Sequence, residues 1–96
     1  MNQIFKEMGE FSVDVFHDAS SIEHIKKMKI EADEVILDPS DLFEYADCLL
    51  AFFAAAYKAG FTYENIEDAS RIKLEILKTR QWHKLDDGSY QHIKLP

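Results

Sequence analysis

Apolar residues recur at helical spacing through most of this chain, and the few breaks in the pattern mark its elements. An amphipathic stretch from about Gln3 to Phe16 predicts a first helix, with Gly9 an unfavourable residue inside it. From Ser20 onward the pattern is sharper. Ile25, Met28, Ala32, Val35 and Ile36 form an apolar stripe, and Ser20 followed three residues later by Glu23 reads as a capping box. Asp38-Pro39-Ser40-Asp41 ends this helix and starts the next, with Asp38 as cap, Pro39 in the first helical position and Asp41 complementing the positive helix end. That next helix runs to about Ala59, with Gly60 as its stop, and is apolar nearly all round, the mark of a helix buried on most faces. Thr62 opens a further helix, with Phe61 and Ile66 spaced as a hydrophobic staple, and it continues to about Trp82. The remainder, His83 to Pro96, turns at Asp86-Asp87-Gly88 and forms a small hairpin or an extended arm. The pattern predicts an all-α antiparallel helical bundle with a short irregular or hairpin tail.

Length and charge narrow the class. Ninety-six residues make one domain, 1–96, with a core over about 20–82 and a C-terminal arm over 83–96. An apolar central helix in so short a chain leaves more surface than one copy covers, so the bundle is expected to be completed by oligomerisation, as a homodimer or homotetramer. A net charge of -7 argues against a nucleic-acid polymer as partner, because such binders neutralise phosphates with a basic surface. Cys48 is the single cysteine, which excludes an internal disulfide and a Cys-rich zinc site. The start, Met1 to Lys6, lacks the apolar run of a signal peptide, and the longest apolar stretch, Cys48 to Tyr57, is too short to span a membrane. A cytoplasmic, reducing environment is expected.

The chemistry concentrates between Lys29 and Lys58, a segment with seven carboxylates and no basic residue. Four of these fall into two pairs three apart, Glu31 with Glu34 and Glu44 with Asp47, so each pair occupies one helical face. Glu31 and Glu34 border the apolar stripe of their helix. Glu44 and Asp47 share a face with Cys48, Ala51, Ala54 and Ala55, a strip of small side chains that leaves room for a ligand. A short loop makes the two helices antiparallel neighbours, so the pairs can face each other. A merely solvated acidic face fits poorly, because a helix this apolar is central and an uncompensated buried carboxylate costs several kcal/mol. Hard oxygen donors of this kind suit Mg²⁺, with Mn²⁺ as the alternative.

The last helix contributes cations. Lys73 and Arg80 lie within the apolar arc of Ile66, Ala69, Ile72 and Ile76, while Arg71 and Lys78 lie nearly opposite. Cations on an apolar arc either snorkel, with their stems packed and their charged heads in water, or meet an anion such as phosphate. Trp82 reads as a core anchor or a platform for a nucleotide base. His17, His24, His83 and His92 show no metal-ligand spacing.

Glu31-x-x-Glu34 followed by Glu44-x-x-Asp47, with Lys73, Arg80-Gln81-Trp82 and Asp87-Gly88…His92 in order, resembles the MazG-like nucleotide pyrophosphohydrolases, nearest their dATP/dGTP diphosphohydrolase branch. The likeness spans roughly Ser20 to Ile93. It implies an all-α enzyme that hydrolyses a nucleoside triphosphate, here a purine dNTP, to the monophosphate and pyrophosphate. It further implies that the four acids are catalytic and hold Mg²⁺, that Lys73, Arg80 and Trp82 contact the substrate, and that subunits assemble. Two positions depart from the family pattern: Ile30, where a further glutamate is frequent, and Leu77, where asparagine is common. A non-catalytic helical module that binds a nucleotide or a protein and retains the acids is the alternative.

Overall fold

The computed structural model describes residues 1–94. These form α1 (Asn2–Val15), α2 (Ser21–Leu37), α3 (Leu42–Lys58), α4 (Tyr63–Thr79), β1 (Trp82–Lys84) and β2 (Tyr90–His92), the all-α architecture expected, with one minimal sheet. The chain divides into two compact units, Met1–Ile66 and the part from Glu67 onward.

In the first unit α3 is central and packs against both α1 and α2. Phe5 of α1 meets Phe53 edge to face, with ring centroids 5.3 Å apart, and also approaches Tyr57 and Tyr63. Gly9, unfavourable for a helix on propensity, is buried in α1 because the Tyr57 ring lies against its Cα, where a Cβ would overlap the ring. Lys58 ties the α1–α2 connection to the end of α3, donating to the carbonyls of Phe16 and Ala19 at 2.8 Å each.

Local signals set most of the boundaries. Ser20 caps α2, its Oγ accepting from the Ile22 N–H at 3.2 Å and donating to Glu23. Thr62 and Asn65 exchange side-chain bonds at the start of α4, at 3.0 and 3.1 Å. At the end of α3, Gly60 takes φ of 91° while Phe61 N–H reaches the Ala56 carbonyl and Gly60 N–H that of Tyr57, a Schellman closure.

Three expectations are corrected. Asp38 terminates α2 and does not cap α3; Pro39 and Ser40 form the turn, and Asp41 is the cap, accepting from Phe43 N–H at 2.9 Å. Either aspartate satisfies the capping rule, and Ser40 Oγ engages Asp38 Oδ1 at 3.1 Å, holding it in the turn. The last helix stops at Thr79, not Trp82, because Trp82 is taken into β1, paired antiparallel with His92. Its indole N–H donates to the Leu77 carbonyl at 3.3 Å, beside the Arg80 N–H that reaches the same oxygen at 3.3 Å, so the last turn of the helix is closed by both.

The third correction concerns the inward line of α2. Its buried residues are His24 and Glu31, with Met28 and Val35 half-buried between and beyond them, while Ile25 and Ile36 are exposed. Glu31 therefore lies in the seam and not along its edge. Hydropathy alone cannot mark a carboxylate that is covered because other acids face it. In the second unit the tail is a hairpin, closed by Asp86-Asp87-Gly88-Ser89, with Asp87 Oδ1 accepting from the Ser89 N–H and hydroxyl and Gly88 at φ of 91°. Leu95 and Pro96 of the expected arm lie outside the described residues.

Candidate metal centre

The turn from residue 38 to 41 folds α3 back along α2, and the Tyr45 hydroxyl secures it by donating to the Pro39 carbonyl at 2.9 Å. This reversal brings the C-terminal half of α2 against the first turns of α3. Glu44 falls in the first turn of α3, where the positive helix end favours a carboxylate. Glu31, Glu34, Glu44 and Asp47 each offer an oxygen there, and the four atoms lie within 4.8 Å of one another. Glu31 is 8% exposed, Glu44 is half-buried, and Glu34 and Asp47 open to solvent.

The donor set fits a hard divalent cation on two independent grounds. All four ligands are carboxylate oxygens, the chemistry that Mg²⁺ and Mn²⁺ prefer. In addition, Glu44 Oε2 is buried with no hydrogen-bond partner among the described residues. An orphaned buried acceptor costs about 1–3 kcal/mol, which a coordinated ion offsets. The cluster's electrostatics agree. The hydrogen bond to Glu31 and that residue's charge, with a smaller effect of Glu44, push the Glu34 carboxyl above the usual range. Glu31 moves the other way, held low chiefly by its bond to Lys27 against the opposing effect of burial.

Lys27, outside the segment without basic residues, nevertheless supplies a cation beside the acids. Its Nζ lies 3.0 Å from Glu31 Oε1, four residues upstream and one turn away on the same face. The i, i+4 spacing was legible in the sequence but lay just outside the segment without basic residues. The small strip is corrected. Ala51, Ala54 and Ala55 are buried, so protein and not a ligand covers that face. The Cys48 thiol beside the acids is pushed up, first by burial and then by the negative field of the quartet, which keeps it protonated and unsuited to nucleophilic attack.

The expected substrate residues belong to the second unit. Lys73 is exposed on α4, Arg80 follows its end and is half-buried, and Trp82 opens β1 with its ring 6.1 Å from that of His92. Arg80 lines a cleft with Thr79, Gln81, His92, Ile93 and Lys94. Among the described residues Lys73 and Arg80 form no ion pair, whereas Arg71 pairs with Glu67 at 2.9 Å and Lys78 with Glu75 at 3.1 Å. His92 carries no ligand spacing in the sequence, and its place beside Arg80 comes from strand pairing across the hairpin.

The four-helix architecture that carries these facing acid pairs is that of the MazG-like, all-α pyrophosphohydrolases. A solved structure of that class, the cyanophage S-2L MazG-like pyrophosphohydrolase bound to dGDP and three catalytic Mn²⁺ ions per active site, matches with a TM-score of 0.80 at 27% identity, covering 96% of this chain and 95% of that one. The chain belongs to the dATP/dGTP pyrophosphohydrolase family, whose profile matches residues 4–96. It is also 39% identical over 93 residues to the Eaa protein of Salmonella phage P22, an alignment spanning 96% of this chain and 29% of that protein. The chain thus spans under a third of that relative's length. Among the described residues no helix is long and apolar enough to cross a membrane.

Proposed function

We propose that this chain hydrolyses a purine deoxynucleoside triphosphate between its α and β phosphates, releasing the monophosphate and pyrophosphate with Mg²⁺ or Mn²⁺ bound. The observation that carries this reading is the quartet itself: four carboxylates within 4.8 Å, one of them presenting a buried oxygen without a partner. Family membership and the dGDP held by the S-2L enzyme support the purine deoxynucleotide. Glu31, Glu34, Glu44 and Asp47 would hold the divalent metal, which supplies charge neutralisation for phosphate oxygens and acidifies water. Glu31 and Glu44, the covered members, fix the geometry, while Asp47 and Glu34 face the solvent from which water and nucleotide arrive. On sequence grounds Lys73 and Arg80 serve as phosphate contacts and Trp82 as a contact for the nucleoside.

The same reading includes self-association. Leu37, Leu42 and Phe43, at the turn joining the site helices, are 85%, 77% and 80% exposed in the single chain, and a second copy of the chain is the proposed cover. Sedimentation at micromolar concentration showing monomer alone would contradict that part. The activity is tested with a panel of dNTPs and NTPs, reading pyrophosphate and monophosphate. Release from dATP or dGTP that EDTA abolishes is expected. A folded sample that binds Mn²⁺ yet releases no pyrophosphate from any dNTP would sink the enzymatic reading.

A further inference from the structure

Three lysines stand close together on α2, namely Lys26, Lys27 and Lys29, and among the described residues only Lys27 of the three forms an ion pair. Its partner is Glu31, the most covered ligand of the quartet, and the contact is short, 3.0 Å from Nζ to Oε1. The ammonium is itself held above its ordinary range, first by the bond to Glu31 and that residue's charge and then, more weakly, by the charges of Glu34 and Asp47. Its own side chain is 58% exposed, which places the charged head at the solvent edge of the centre on a stem free to swing away.

A divalent ion taking Glu31 meets a positive charge already on that carboxylate. The pair then opens, or the ion binds against repulsion at close range; either way the lysine opposes the ion. Without the lysine, Glu31 would be buried beside three other acids with no counter-charge.

We propose that Lys27 is the built-in counter-cation of the metal centre: it neutralises Glu31 while no divalent ion is bound, and by competing for that carboxylate it sets the metal concentration at which the centre fills. This rests on the quartet being a metal site, and not on the identity of the nucleotide. The lysine is a positioning residue for Glu31, acting through it and touching no reacting atom.

The test needs no substrate. Mn²⁺ is titrated into the full chain at fixed ionic strength, reading the free ion by electron paramagnetic resonance, for the wild type, Lys27→Met, Lys27→Gln, Lys27→Arg and Lys26→Met. The two neutral variants at position 27 should bind Mn²⁺ about five- to tenfold more tightly, as expected when a competing ion pair of ordinary strength and its repulsion are removed. Lys27→Arg should stay near the wild type. Lys26→Met, which alters net charge equally without touching an acid of the quartet, should do so too. The metal-free melting temperature of Lys27→Met should fall, because Glu31 loses its partner. Equal or weaker Mn²⁺ binding by both neutral variants overturns the proposal, as does an equal gain in Lys26→Met. If no variant binds Mn²⁺ at millimolar concentration, the metal reading falls and the proposal with it. Tighter binding in a protein that turns over no dNTP sustains the proposal and overturns the hydrolase reading instead.

Discussion

The two units of this chain handle charge in opposite ways. Met1–Ile66 carries thirteen acidic and five basic residues, and from Glu67 onward there are five acidic and six basic. The first unit covers part of its charge: Glu31 sits in a packed seam and Glu44 keeps a buried oxygen without a partner. The second covers little of its own, since α4 has no buried residue and both strands are largely exposed. The difference follows from what each ligand needs. On the proposed function, a metal ion needs several oxygens held at fixed separation, and packing two helices supplies that rigidity at an electrostatic cost that a bound ion would offset. A phosphate would need only donors that nothing else has claimed, the part proposed for Lys73 and Arg80, which form no ion pair among the described residues.

The sharpest way to break this contrast is to neutralise the first unit's acids. Glu44→Gln and Asp47→Asn should each lower turnover by about a hundredfold or more, because each removes the charge of a proposed metal ligand while preserving side-chain volume. The metal-free protein should melt no lower than the wild type, and even higher, since a like-charge cluster is relieved. Near-wild-type turnover in both variants would mean that the centre is elsewhere.

The second unit should respond less, and selectively. Alanine at Lys73 or Arg80 should cost about ten- to a hundredfold in kcat/KM, the worth of one charge-assisted contact of about 1.5–3 kcal/mol. Alanine at Arg71 or Lys78 should be near neutral, because each is engaged by a neighbouring glutamate on an exposed helix face. Comparing kcat/KM for the four single variants decides it. Equal losses in all four would dissolve the distinction between claimed and unclaimed cations.

That distinction was half legible in the sequence, and so was much of the fold. The 3.6-residue period predicted three or four helices, the first of them weakened by Gly9, and the three-residue spacing of Glu31 with Glu34 and of Glu44 with Asp47 predicted two acidic faces, since both depend only on local geometry. What the sequence hid depends on contacts between elements. Gly9 looks like a helix breaker until the Tyr57 ring is laid against it. Ala51, Ala54 and Ala55 look like room for a ligand until they are found covered. Trp82 continues a helical pattern, and only the pairing with His92 moves it into a strand. Lys27 stands at i, i+4 spacing from Glu31 but two residues before Lys29, where the stretch without basic residues begins, so the acidity of that stretch conceals its counter-charge.

The smallest expected effect concerns one histidine in each unit. His24 is 7% exposed and its imidazole is pushed below its ordinary value, first by burial and then by Lys58. His92 is also pushed down, first by burial and then by Arg80, Lys94 and Lys73. A lowered folded pKa means that the unfolded chain takes up a proton first as pH falls. Stability contributed by the neutral ring is therefore intact above the unfolded value of about 6.5, and is lost as pH drops from there towards the lower folded value. Charging His24 would place a cation in the α2 seam, where burial and Lys58 disfavour it and Glu23 compensates only in part. His92 is less covered, so solvent takes up much of the same change. Melting temperature measured between pH 7.5 and 5 should fall more gently in His24→Gln than in the wild type, whereas His92→Gln should keep most of the slope. If the two variants flatten the profile equally, the first unit has no special claim to buried charge, and the contrast between the units reduces to composition.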